Sequence, residues 1–304
     1  MTLVITNCTN RKRKPVARAR NISDLAPAPL TDLASAWGQR LNAADVRFPA
    51  ASIYGGRAFQ EASTAAGTLG ARLLVVSAGL GLIDASDAVP PYACTVLVGA
   101  ADSVVARVTG PYDIATWWKA LRTASPFARP LADFMAADDD GPILAALSDA
   151  YIAMIAEELL ALPATVLARL RIFTRTPLPR IALALRPYVM PYDDRLDGPD
   201  SVVRGTRSDF AGRALRHFVN LRTAGSLATD VAAVETALAG WRLPTKHDRV
   251  RHDDAALLEL IRGHWASVGG SSSRLLRLFR DDLGIACEQS RFAALARQVR
   301  GEQP

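Results

Sequence analysis

The sequence predicts an α/β protein: a three-layer sandwich around a mostly parallel sheet, followed by a small helical module. Three observations predict it. Two short apolar runs, residues 2–6 (TLVIT) and 72–77 (RLLVVS), each end in a loop of small or polar residues, as strands do at the functional edge of an open α/β sheet. Segments with helical periodicity lie between them, which calls for parallel pairing through crossovers. Beyond residue 242 the chain turns polar and basic, then resolves into three amphipathic segments separated by glycine.

Taken in order, residues 15–29 are rich in Pro and Ala and read as a surface loop. Residues 30–41 form an amphipathic helix and 50–54 a weak strand. Gly55 and Gly56 then open a helix that runs to about residue 69. The strand 72–77 passes into the small-residue loop 78–83, and 94–98 reads as another strand. Residues 114–122 are helical and carry Trp117 and Trp118, with 126–135 continuing after a break. Asp138, Asp139 and Asp140 mark an acidic loop. Residues 143–162 read as one long helix, 166–174 and 180–185 as strands, and 209–221 and 230–239 as helices. Segment 243–253 reads as a linker between a catalytic domain, 1–242, and a module, 243–304.

Composition narrows the class. With 304 residues, half of them hydrophobic, the chain can bury a real core and is not disordered. Its 3 cysteines, Cys8, Cys94 and Cys287, are far apart, so neither a disulfide framework nor a zinc site is expected, and a reducing, cytoplasmic setting is. The short apolar start is no signal peptide, and charges and Pro163 interrupt the most apolar stretch, 145–170. No membrane association, cofactor, metal or obligate protein partner is expected. The net charge of +6 and pI near 9.5 favour an anionic partner, DNA. Arg11, Lys12, Arg13, Lys14, Arg18 and Arg20 precede the first acid of that region, Asp24.

Four motifs can carry chemistry. Asn7, Cys8, Thr9 and Asn10 follow the first strand, where substrate lies over a parallel sheet. Asn offers a base both donor and acceptor groups, and the cationic arm beyond suits flanking phosphates. Cys8 reads as a buried thiol rather than a nucleophile, since no His is near it in sequence. Tyr54, Gly55, Gly56 and Arg57 place glycines before a helix, permitting close approach of a phosphate. Ser77, Gly79, Leu80 and Gly81 form a turn over which a flat ring fits, and Tyr92 after it can stack on a base. Tyr192, Asp193, Asp194 and Arg195 make a stiff aromatic site. One carboxylate can stabilise an oxocarbenium ion or orient water while the other pairs with Arg195. Arg213 and His217 share a helix face nearby.

In the C-terminal module, residues 254–265, 271–282 and 289–300 read as helices, with a turn at 283–287 of the length a helix-turn-helix requires. The last helix, beginning at Gln289 with Arg291 beside it, would enter a groove while Arg274 and Arg277 contact phosphate.

The TNCTNRKR segment, YGGR, VVSAGLGLID and the PPY after it together resemble a group of bacterial α/β proteins with a uracil-DNA-glycosylase-like fold. Within that group they are similar to anti-phage DNA glycosylases. The resemblance covers about the first 95 residues. It implies removal of α-glucosylated hydroxymethylcytosine from phage DNA, leaving abasic sites. The GxDPY motif and His-Pro-Ser loop of uracil-DNA glycosylases are absent from the sequence, so no catalytic residue carries over, and Asp193, Asp194 and Asn10 are the candidates on chemistry alone. The expectation is a monofunctional glycosylase that flips its target base into a pocket between the 7–10 and 79–82 loops. A base-exchange transferase, a DNA-binding regulator and a metal-dependent nuclease are the alternatives.

Overall fold

The computed structural model describes residues 1–135, 140–221, 225–245 and 249–302; Asp138, Asp139 and His247 lie outside the described residues. The chain divides into two compact units, Met1–Pro244 and Thr245–Pro304.

The larger unit is built on five strands: β1 (Leu3–Asn7), β2 (Arg72–Ser77), β3 (Gly81–Asp84), β4 (Ile143–Ala146) and β5 (Leu170–Phe173), in the order β3-β2-β1-β4-β5. β1 is central and pairs parallel to both neighbours, with Ile5 opposite Leu74 and Ala145. β5 is parallel to β4, and only β3 is antiparallel, folding back on β2. The reversal turns on Gly81, whose φ of +87° disfavours a side chain; Ala128 fills the space a Cβ would need. The strands are apolar almost without interruption because both sheet faces are covered.

The helices are α1 (Leu30–Asn42), α2 (Arg57–Leu69), α3 (Ile114–Ala124), α4 (Asp149–Leu160), α5 (Phe210–Asn220) and α6 (Leu227–Leu238). Five of them pack in two groups, α2 with α5 and α1 with α3 and α4. The architecture is therefore α/β around a mostly parallel sheet, compatible with three layers. Two buried indoles anchor the loop after β2: Trp37 donates to the Gly79 carbonyl (2.7 Å) and Trp117 to that of Ala78 (3.0 Å).

Several local expectations are corrected. Residues 143–162 are not one helix but β4 followed by α4. The run ILAAL suits a buried parallel strand as well as a helix, and its pairing with β1 and β5 decides. Residues 180–185 form no strand; Pro177, Pro179 and Pro187 leave 3-10 turns at Leu178–Arg180 and Leu183–Tyr188. Ala50–Ile53 is a helical turn, and 94–98 keeps one isolated bridge, Thr95 to Ser103. Only the 3-10 turn Leu131–Phe134 remains of the helix expected over 126–135.

The smaller unit contains α7 (Asp254–Trp265), α8 (Ser272–Asp281) and α9 (Gln289–Gly301) around Leu257, Ile261, Trp265, Phe279, Phe292 and Val299. Its 283–287 turn is not a plain connection. Ile285–Ala286 pairs parallel with Val250–Arg251, so residues read as linker belong to this fold. Among the described residues no helix is long and apolar enough to cross a membrane.

Candidate functional site

β2 lies on one side of β1, β4 and β5 on the other, so the chain changes direction beside β1. Ligands of open α/β sheets enter the crevice that such a switch leaves at the carboxyl ends of the strands. A cavity of about 250 Å³ occupies that position, at the ends of β1, β4 and β5, and its lining includes Asn7, Ser148, Asp149, Arg175, Arg180 and Arg207. Asp149 is the one carboxylate among the lining residues; it starts α4 and meets Arg180 at 2.5 Å. Arg175 is held by Asp194 (2.5 Å) and Asp197 (2.9 Å). Arg207 makes no side-chain hydrogen bond or ion pair to the described residues. Asn7 ties the two central strand ends together: its Nδ2 donates to the Cys8 carbonyl (3.0 Å) and its Oδ1 accepts from the Ser148 amide (3.3 Å). One donor and one lone pair of its amide stay open to a ligand.

Beside this crevice the structure draws the first three motifs into one polar cluster. Tyr92 Oη lies 2.5 Å from Ser77 Oγ and 3.2 Å from Tyr54 Oη. Cys8 Sγ lies 3.2 Å from Tyr151 Oη on α4. Lys12 Nζ donates to the Thr9 carbonyl at 2.5 Å and sits 4.6 Å from the Tyr92 ring centre and 5.3 Å from that of Tyr54. Burial pushes the Tyr54, Tyr92 and Tyr151 phenols and the Cys94 thiol above their usual ranges. Burial also lowers the Lys12 ammonium, with Cys8 and Asp102 opposing it. Perturbed groups gathered at a strand end make this cluster a candidate site.

No known family model, curated protein or solved structure matches this chain.

The geometry redistributes the roles expected from sequence. Tyr92 is fully buried and its own ring covers Gly79, so it does not stack on an incoming base. Tyr54 and Leu80 are likewise fully buried. Asn10, Arg11 and Arg13 are exposed, whereas Lys14 lies over Phe48, 4.8 Å from its ring centre. Thr9 accepts from the Gly56 amide (3.2 Å) and donates to the Arg11 carbonyl (3.1 Å). Arg57 is bound by Glu61, Asp209 and the Arg204 carbonyl. The paired acids do diverge. Asp193 caps the following turn and grips Arg195 (2.9 Å), while Asp194 grips Arg175. Arg195 also donates to the Leu238 carbonyl (2.9 Å). Tyr192 is buried, 2.8 Å from His217 Nδ1. Neither Asp193 nor Asp194 lines the crevice. Asp149, Arg180 and Arg207 are the residues that sequence reasoning missed. Ser148-Asp149 after an apolar run is the helix-start signal that marks Asp149.

In the smaller unit Arg274, Arg277 and Gln289 are exposed. Arg291 is engaged, pairing with Asp254 (2.6 Å) and donating to the His252 carbonyl (3.0 Å), which fixes the start of α9 to that of α7. It therefore acts in the fold first. Among the described residues no group of His, Cys, Asp or Glu side chains is placed to hold a metal ion.

Proposed function

We propose that the chain hydrolyses N-glycosidic bonds in nucleic acid, acting on a modified base of phage DNA, with the switch-point crevice as its reaction centre. The observation that carries this reading is Asp149, a lone carboxylate among the lining residues and flanked by Arg175, Arg180 and Arg207. Breaking the bond makes a sugar cation, which a carboxylate stabilises or supplies with water, while arginines hold phosphates on either side. Asn7 faces the same crevice with its remaining donor and acceptor. Arg180 covers Asp149 and would move onto a phosphate to release it. Asp194 acts one step back, orienting Arg175. The basic arm and the exposed arginines of α8 supply sequence-independent affinity that weakens with salt.

The test is an abasic-site assay with glucosylated and unmodified DNA, in EDTA, followed by alkali. We expect abasic sites, revealed as breaks after alkali, on modified DNA alone. Asp149→Asn should abolish them, whereas Asp193→Ala should leave them. Breaks undiminished by Asp149→Asn would remove the crevice from the reaction. No breaks on either DNA, with salt-sensitive binding retained, would make the chain a binding protein.

A further inference from the structure

Arg11, Lys12 and Arg13 alternate out, in and out, as an extended segment requires. Their backbone is pinned to the Tyr54 segment: Arg13 N donates to the Ile53 carbonyl (2.8 Å) and Gly55 N to that of Arg11 (2.9 Å). This register turns Lys12 away from the solvent that its neighbours face and into the cluster at the end of β1. A lysine serving only as a phosphate contact belongs on the outer face. Among the described residues no carboxylate lies in ion-pair contact with it. Its ammonium rests on two tyrosine rings and one carbonyl.

We infer that Lys12 is a nucleophilic amine that forms an imine with the C1′ aldehyde of an abasic deoxyribose. The inference rests on the glycosylase reading for its biological substrate and adds a second step to it. Burial favours the neutral, nucleophilic amine. The side chain is half-buried, and a single hydrogen bond, to the Thr9 carbonyl, holds it in place. The nitrogen of Lys12 attacks C1′ as the C–O π bond opens, and the carbinolamine loses water to give the imine. Tyr92, kept protonated by burial and hydrogen-bonded to both Tyr54 and Ser77, can supply the proton that departing water needs. The protonated imine acidifies C2′. That proton passes to the phenolate left by the departing water, the electron pair expels the 3′ phosphate by β-elimination, and a second water hydrolyses the imine. Lys12 returns free, beside an unsaturated aldehyde and a 5′ phosphate end. Exposed Arg11 and Arg13 flank the lysine, where the backbone phosphates of such a strand would lie.

The experiment supplies the full chain with a duplex holding one preformed abasic site, together with borohydride, which reduces an imine to a stable amine. We expect a covalent protein–DNA adduct whose modified residue is Lys12 by peptide mass spectrometry. Lys12→Arg should lose it with an unchanged melting temperature, and Lys119→Arg, on α3, should keep it. The adduct should also form at a lower pH than that of a free lysine derivative. No adduct, or an adduct on the N-terminal amine or another lysine, overturns the inference. Because the abasic site is supplied, this outcome is independent of base removal. Alkali-labile sites on modified DNA without trapping would leave the glycosylase reading standing alone. Trapping on Lys12 without base removal would do the reverse.

Discussion

Replacing Arg213 by Met tests how the crevice is held. Arg213 is fully buried, yet all five of its N–H groups are engaged. Nε meets Asp209 Oδ1 at 2.6 Å. One terminal nitrogen donates to the Leu196 and Val203 carbonyls (3.0 and 3.1 Å), and the other to Asp197 Oδ1 (2.5 Å) and the Thr206 carbonyl (2.8 Å). One side chain thus closes the loop from Leu196 to Asp209, which carries Arg207 into the crevice. Methionine preserves the volume and removes every donor. It leaves the Asp209 carboxylate, 3% exposed, without its main partner and removes the donor that the Leu196 and Val203 carbonyls rely on. Removing one member of a buried ion pair costs about 3–5 kcal/mol. For a unit of this size each kcal/mol moves the midpoint by about 2–4 °C, so a fall of about 6–20 °C is expected. Thermal unfolding followed by circular dichroism measures it, with urea midpoints as a check. A loss under about 1 kcal/mol would show that the network adds little beyond packing, and the reasoning would fail.

Two further perturbations separate packing from charge. In Gly79→Ala the new Cβ would lie 2.7 Å from two Tyr92 ring carbons and 2.9 Å from Cys94 Cβ. Overpacking of this kind costs about 1–3 kcal/mol in urea unfolding. Gly67→Ala, in α2 with nothing within 4 Å, should instead stabilise by about 0.5–1 kcal/mol, and equal losses at both sites would refute the packing argument. Glu288 caps α9, and bonds from the Ser290 hydroxyl, the Ser290 amide and the Arg291 amide hold its carboxyl at about 2, below its ordinary 4.5. A depressed carboxyl stabilises above its ordinary value and loses that contribution as pH falls toward 2. The smaller unit, followed through Trp265 fluorescence, should therefore weaken between those values, and Glu288→Gln should flatten the dependence. An identical acid profile in both proteins would count against the cap.

β1 and β2 were legible because each is a continuous apolar run closed by small or polar residues, a pattern that few other elements share. The three helices of the smaller unit were legible through apolar periodicity and glycine breaks. β4 was not, because a short alanine-rich run fits a strand and a helix equally until its neighbours are known. That ambiguity also hid Asp149, which a long helix would place on an ordinary surface turn. The polar loops after β1 and β2 were recognised as belonging together, but their direction was not. Sequence shows that Tyr92 is aromatic and Lys12 basic; it does not show that one buries its ring against Gly79 and the other turns inward. Asp193 and Asp194 drew notice as adjacent acids, and only the fold reveals that arginines already hold both.

The central position of β1 has a consequence for synthesis. Leu3 pairs with Arg72 on one side and with Ile143 on the other. On a ribosome adding about 5–20 residues per second, the second partner follows the first strand by about 7–30 seconds. Throughout that interval one edge of an apolar strand lacks its native neighbour, and the growing chain is open to wrong pairing or to capture by a chaperone. The polar residues that end β1, and the cations that follow at once, are the kind of flanking sequence that keeps such an edge from joining its own kind.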